Sequence, residues 1–262
     1  MISPLPLDCP TGFDRLLDMA ATSGSLPRTA PEGWGISLDK AQIGAFSEGN
    51  HRIVTVPEFL TAPEGVIAAA CLQDFAKITP QYPGVRAALA PQVCIAWLER
   101  LAPLLDQWFE RPRAGWEMQA WYSLVTTPPA QLAPIQRLPH VDGTDPRQVA
   151  MMLYLHHTGH GGTAFFRHRA TGLDSLTAET YPRYAAAIQA EVARAGLPPA
   201  AYTTDGAPHF ERIHAVAGHF NSAVFYRGNI LHSGMIDNAA PLSADPRAGR
   251  LTINAFFRPA AG

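Results

Sequence analysis

The amino-acid sequence predicts an α+β fold, a β-barrel backed by a helical layer and interrupted by a helical insertion near 173–196. Three observations carry this expectation. Two segments place apolar residues three and four positions apart, the interval that aligns them on one helix face. Several later runs are rich in β-branched and aromatic residues, which suit strands. Between them cluster many of the 24 prolines and 21 glycines, as expected where turns join strands.

Residues 1–50 mix turn signals with short apolar pieces and contain one predicted strand, around GWGISLD. HRIVTVPEFL, at 51–60, has a β-branched centre and predicts a strand ending at Pro57. The period then changes, giving amphipathic helices at 62–77 and 91–110. Their Ala, Leu, Trp and Phe stripes suit core packing better than a cofactor. From Trp116 onward strands return: WEMQAWYSLVT, VAMMLYLHH, GTAFFRHR, SAVFYRGNILHSG and RLTINAFF, each bounded by Gly, Pro, Asn or Asp. Between the third and fourth of these, LDSLTAETYPRYAAAIQAEVARAG is rich in Ala, Glu and Arg and predicts one or two helices stopped by Gly196. Strands of one type resume beyond it, so the segment is expected to be an insertion within a single domain over 1–262. In that scheme 1–115 supplies strands and supporting helices, and 116–258 the barrel core.

Composition sets bounds on function. With 47% hydrophobic residues, 16% charged residues and a net charge of −2, the chain has no basic excess to neutralise phosphates, so no nucleic-acid or membrane-surface partner is expected. No window approaches the roughly 18 consecutive apolar residues of a membrane-spanning helix. The amino terminus lacks the pattern of a secretory signal. Cys9, Cys71 and Cys94 lie far apart, without the spacing of a zinc knuckle, and are expected to be reduced thiols of a cytoplasmic protein.

The segment RLPHVDGT carries the chemistry. In extended backbone, residues two apart share a face, so His140 and Asp142 can converge on one point. An imidazole and a carboxylate are ligand types that hold a mid-row divalent ion. His232, in YRGNILHSG, offers a third ligand at the end of an apolar strand, before a Ser-Gly turn. Two histidines and one carboxylate on one face leave coordination positions open. Further on, Arg250 and Thr252 share one face of RLTINAFF, and a guanidinium fork beside a hydroxyl suits a carboxylate. With 10 histidines in the chain, a His after a His-x-Asp pair is weak by itself, and order and spacing must supply the specificity.

In this order the motifs resemble the iron(II)- and 2-oxoglutarate-dependent dioxygenases: His-x-Asp, a strand with a tyrosine and a GGT turn, then HSG, then RLT on a final strand. Within them the likeness is to prolyl-hydroxylase-like and phytanoyl-hydroxylase-like bacterial proteins, and to an uncharacterised bacterial branch with similar QRLPHxD segments. It covers residues 116–258. The resemblance implies a double-stranded β-helix, the jelly-roll or cupin-like barrel, and Fe(II) held by His140, Asp142 and His232. It implies 2-oxoglutarate as cosubstrate, its distal carboxylate paired with Arg250, with Thr252 as the neighbouring hydroxyl. Tyr154 sits on the strand where some members place a phenol against the same carboxylate. The implied reaction is oxidative decarboxylation to succinate and carbon dioxide, coupled to oxidation of a small molecule or an amino-acid or peptide side chain. Aliphatic halogenases of this type carry a small residue at the carboxylate position, so Asp142 favours hydroxylation, desaturation or a related oxidation. The separation of Asp142 and His232 exceeds that usual in the family, and the insertion at 173–196 accounts for the excess, as a lid or a substrate wall.

Two other readings stay open: a cupin-like module that binds metal or keto acid without turnover, and a cupin-like metalloenzyme in which Arg250 is structural. The sequence is compatible with a homo-oligomer and specifies none. Among other polar residues, His156, His157 and His160 are expected in a solvated hairpin loop, with zinc binding as the alternative, and His168 facing the barrel interior. His209, His214 and His219 are expected to be structural, with pocket lining as the alternative, and Asp205 to sit in a turn. Arg137 is expected in a structural salt bridge, with an anionic substrate as the alternative.

Overall fold

In a computed structural model that describes residues 33–110, 115–205 and 207–260, the described elements run in the following order. β1 (Gln42–Phe46) and β2 (His51–Val56) precede α1 (Pro63–Ala70), β3 (Gly84–Ala88) and α2 (Pro91–Phe109). Then come β4 (Trp116–Val125), β5 (Val149–Tyr154), β6 (Thr163–His168) and α3 (Tyr181–Ala195). β7 (Phe210–Val216), β8 (Ser222–Arg227), β9 (His232–Gly234) and β10 (Leu251–Pro259) complete the chain. A seven-stranded sheet has the order β1-β2-β8-β5-β10-β4-β3, and a three-stranded sheet the order β7-β6-β9. Every ladder is antiparallel.

Side-chain alternation turns these strands into layers, because successive residues of a strand face opposite ways. Along β10, Leu251, Ile253, Ala255 and Phe257 join the core in which α2 packs through Trp97, Leu101 and Leu105. The intervening Phe256 belongs instead to the core between the two sheets, with Tyr154, Phe165, Val224 and Tyr226. β6 alternates likewise. Phe165 meets Tyr226 of the large sheet edge-on, ring centroids 5.0 Å apart. Ala164 and Phe166 face outward onto Tyr184 and Ile188 of α3. The result is two antiparallel sheets face to face, jelly-roll-like at this coarse level, with helices on the outer faces. No helix among the described residues is long and apolar enough to cross a membrane.

Several expectations change. GWGISLD forms no strand: Ile36 makes a single bridge to Leu60, and the stretch follows Phe59 through Ser37 N–H. The first helix ends at Ala70, well before residue 77, because Ala76 exchanges both backbone hydrogen bonds with Arg86 on β3 and must be extended there. SAVFYRGNILHSG is two strands. β8 pairs in the large sheet and β9 in the small one, so the chain changes sheets between Arg227 and His232, and His232 begins a strand rather than ending one. β1, β3 and β7 lie where no strand is predicted. β3 depends on Gly84, where an added Cβ would stand 1.9 Å from the Leu124 carbonyl oxygen. In 173–196 one helix forms, α3, stopped by Gly196 at φ 81°. Cys9 lies outside the described residues.

Candidate metal centre

The segment after the 3-10 turn at Pro134–Arg137 is held in place by backbone bonds to two elements. His140 exchanges both backbone hydrogen bonds with His232, each 2.9 Å, and Asp142 N–H donates to Gly228 carbonyl at 2.8 Å. His232 in turn pairs with Phe165 of β6. One ligand atom from each of His140, Asp142 and His232 lies within 4.8 Å of the other two. His232 Nε2 stands 3.4 Å from Asp142 Oδ2, and His140 Nε2 3.8 Å from Asp142 Oδ1.

The hydrogen bonds fix what these atoms offer. His232 Nδ1 lies 2.8 Å from the Ile230 carbonyl, which can only accept, so Nδ1 carries a proton and Nε2 is the ring atom turned toward Asp142. Asp142 Oδ2 is buried without a hydrogen-bond partner. Burial raises the Asp142 carboxyl above its ordinary range, against the opposing charges of His232, Arg86 and Arg258. His140 lines the cavity described below and shows about half its side chain to it, 51% exposed, yet the protein around it holds its imidazole well below the usual histidine range, with His232 and Arg86 adding to the effect. His232 Nε2 and Asp142 Oδ2 thus face each other at 3.4 Å, both atoms of a type that binds a metal.

Beside them opens a cavity of about 220 Å³, lined by His140, Asp142 and His232 together with Arg250. Arg250, one residue before β10, is 2% exposed. Its Nη2 donates to the carbonyls of Gly162 and Gly161 at 3.0 and 3.2 Å, while its Nε is buried without a partner. Its Cζ lies 5.9 Å from the Tyr154 ring centroid. The Tyr154 hydroxyl shares a 2.7 Å hydrogen bond with Thr163, and burial pushes its pKa up to about 12. Thr252 pairs with Tyr154 across the β10–β5 ladder, fully buried, and its hydroxyl donates to Asn254 Oδ1 at 2.8 Å. Asn254 and Thr163 are cavity walls.

A model of a family of unknown function, DUF6445, matches residues 39–257, which include all of these positions. The chain belongs to the DUF6445 family. No curated protein matches this DUF6445 member in sequence. Among solved structures it is similar to the non-heme alpha ketoglutarate dependent epimerase SnoN from nogalamycin biosynthesis, at 13% identity over 79% of this chain and 78% of that one, TM-score 0.45. The non-heme alpha ketoglutarate dependent carbocyclase SnoK from the same biosynthesis aligns at 13% identity over 78% of each chain, TM-score 0.44. An N-substituted L-amino acid dioxygenase from Burkholderia ambifaria AMMD aligns at 11% identity over 82% and 93%, TM-score 0.37.

The cavity of this DUF6445 protein also contains a residue that the sequence does not single out. Arg86 of β3 is 8% exposed and lines the same space, its Cζ 4.0 Å above the Tyr82 ring. Its one signal is a lone charge inside the apolar run GVRAALA. Three other histidines take different places from those expected, whereas His209 and His214 are structural as expected. His156 and His160 are buried rather than solvated: His156 Nδ1 bonds Thr158 Oγ1, and His160 Nδ1 accepts from Asp237 N–H. His168 turns away from the space between the sheets, toward Glu191 of α3 at 3.1 Å. His209 reaches the same carboxylate, and His214 stacks on Phe46. Arg137 is structural through the carbonyls of Leu132 and Pro198, and among the described residues it makes no salt bridge.

Proposed function

We propose that this DUF6445 protein is an iron(II)- and 2-oxoglutarate-dependent oxygenase of the hydroxylase type, acting on a small molecule or on an amino-acid or peptide side chain. The observation that carries this reading is the convergence of His140, Asp142 and His232, whose ligand atoms lie within 4.8 Å of one another, with Asp142 Oδ2 buried and without a hydrogen-bond partner. A buried carboxylate oxygen without a hydrogen bond is costly, and a cation held by the three groups removes that cost. The donor set, two imidazoles and one carboxylate, fits iron(II).

In this reading His140, Asp142 and His232 hold the iron and leave its remaining positions free. Arg250, buried and cationic, pairs with the distal carboxylate of 2-oxoglutarate, with Thr252 and the Tyr154 phenol beside it. Iron(II) and 2-oxoglutarate together supply oxidative decarboxylation coupled to oxidation of a C–H bond. The protein contributes orientation and dryness. Leu138, Val141, Leu231 and Phe256 form apolar walls that limit water near the centre. Tyr181 and Tyr184 of α3 face the same cavity, so the 173–196 segment acts as a wall of the substrate compartment. A carboxylate at 142, rather than a small residue, favours hydroxylation or desaturation over halogenation.

Anaerobic titration with iron(II) and then 2-oxoglutarate tests the reading directly. A keto acid chelating protein-bound iron gives a weak visible charge-transfer absorption, which is the expected result, and admission of oxygen then yields succinate. No absorption and no succinate overturn it.

A further inference from the structure

Nothing in the chemistry above uses Arg86, and its surroundings leave it incomplete. The guanidinium is buried, its Nε makes no hydrogen bond, and among the described residues no carboxylate lies within ion-pairing distance. The acidic group that acts on it electrostatically is Asp142, whose oxygens face the histidines. A buried cation without an anion is costly, more so than any neutral residue of its size. The Tyr82 ring covers one face of the guanidinium plane, which leaves the N–H edges as the direction of approach.

The position of Arg86 separates it from Arg250. Arg86 stands opposite Ser123 on β4, Ser123 opposite Thr252 on β10, and Thr252 opposite Tyr154 on β5. This cross-strand row puts Arg86 two strand spacings from Thr252, roughly 10 Å. Arg250 lies outside this row, two residues before Thr252, with its guanidinium near the Tyr154 ring and held by Gly161 and Gly162 beside β6. One cavity therefore carries two guanidinium groups, each with its own support, with the three-residue donor group also on its wall.

We propose that Arg86, braced on Tyr82, is the anchor for a carboxylate on the primary substrate, which makes the pocket's substrate a small carboxylic acid with an apolar body. The assignment rests on the oxygenase reading for the word substrate, though the binding it predicts does not need turnover. A single planar fork matches a carboxylate two bonds at a time. A phosphate dianion would call for further cationic partners, and among the described residues no Lys or other Arg besides Arg86 and Arg250 lines the cavity. Leu176, Tyr181, Tyr184, Tyr202 and Ile236 supply the apolar walls.

The test compares 3-phenylpropionate with 3-phenylpropionamide, two probes of one shape that differ in charge. Binding to the full-length protein is measured by calorimetry or ligand-observed NMR, with Mn(II) and 2-oxoglutarate present to occupy the metal and Arg250. The wild type is expected to prefer the acid by about tenfold or more, the value of one charge-assisted contact. Arg86→Met is expected to bring the ratio to near one while leaving Mn(II) and 2-oxoglutarate affinities within about threefold of wild type. Arg86→Lys, which keeps the charge without the fork, recovers part of the preference and serves as the comparison if the Met variant does not fold. No acid preference in the wild type, or a preference that survives Arg86→Met, overturns the proposal. Loss of Mn(II) or 2-oxoglutarate binding together with the preference also overturns it, because Arg86 would then belong to the metal centre. If the wild type binds neither Mn(II) nor 2-oxoglutarate, the oxygenase reading fails separately, and the acid-to-amide ratio is read on the metal-free chain with Arg250→Met as the control.

Discussion

His140 and His232 are joined through their backbones: each N–H donates to the other's carbonyl at 2.9 Å. The pairing fixes the spacing of their Cα atoms without help from either side chain. Two imidazole rings from distant parts of the sequence are thereby brought to a centroid distance of 4.4 Å. Removing one ring should accordingly leave the fold intact. His140→Ala is expected to change the stability of the metal-free protein by no more than about 0.5 kcal/mol, in the range of partly exposed sites. Its affinity for Fe(II) or Mn(II) should fall by about a hundredfold or more, since one of three ligands is gone. Thermal melts with and without metal separate the two effects, and a large loss of metal-free stability would make His140 a structural residue.

Asp142 should behave in the opposite sense to an ordinary buried carboxylate in an ion pair. Its Oδ2 has no hydrogen-bond partner, and burial holds its carboxyl above the usual range. A raised carboxyl pKa means that the folded chain keeps a proton that the unfolded chain has released. The metal-free protein therefore loses stability as pH rises from the ordinary aspartate range through the raised value. Asp142→Asn removes that penalty. It is expected to stabilise the metal-free protein by about 1 kcal/mol, a rise of roughly 2–4 °C in Tm for a chain of this size. The same substitution should abolish the rise in Tm that metal gives the wild type. Destabilisation of the metal-free variant would show that Asp142 holds the fold together.

What the sequence made legible follows from how local each signal is. β4, β5, β6 and β10 are long or strongly apolar, and their alternation is visible in the chain itself. α2 likewise declares its face through Trp97, Leu101 and Leu105. β1 and β3 are five residues each with weak alternation, and both sit at an edge of the large sheet, where pairing partners rather than composition select the strand. β9 has three residues and owes its existence to β6. His140, Asp142 and His232 were accessible because spacing and order carry them, and the structure brings them together. Arg86 was not. Its burial comes from β3 pairing with β4, a contact that no pattern near residue 86 announces.

Gly162 couples the fold to Arg250. An added Cβ there would stand 2.1 Å from the Val216 carbonyl oxygen and 2.5 Å from Gly218 N, both backbone atoms that cannot turn aside. The Gly162 carbonyl is also the nearer acceptor of Arg250 Nη2. Gly162→Ala must therefore push β6 and β7 apart or shift the carbonyl. A cost of about 2 kcal/mol is expected, typical of overpacking, with 2-oxoglutarate binding weakened and metal binding retained. Calorimetry of the two ligands in turn checks this, and equal losses for both would indicate general collapse instead of a displaced Arg250.

Asp174 supplies an acid-sensitive joint close to His232. Its backbone carbonyl accepts from Leu231 N–H at 2.8 Å, and its side chain accepts from Ser47 Oγ at 2.6 Å and meets His51 Nε2 at 2.8 Å. It thus ties the β1–β2 hairpin, at one edge of the large sheet, to the residue before β9 in the small one. Burial opposes ionisation of Asp174, but the hydrogen bonds from His51 and Ser47, with the charges of His51 and Arg167, outweigh it and bring the pKa down from 3.8 to about 2. The sign follows from proton counting. Between those values the unfolded chain binds the proton and the folded chain does not, so the stabilisation is complete above the unfolded value and is lost as pH falls toward 2. The shift corresponds to about 2 kcal/mol, and the side chain is only 15% exposed, so solvent screening takes little from it. Asp174→Asn should lose about that amount at pH 7 and little at pH 2, where wild type and variant converge. Urea unfolding across that range measures the difference, and a variant deficit that stays constant with pH would assign the effect to packing rather than to charge.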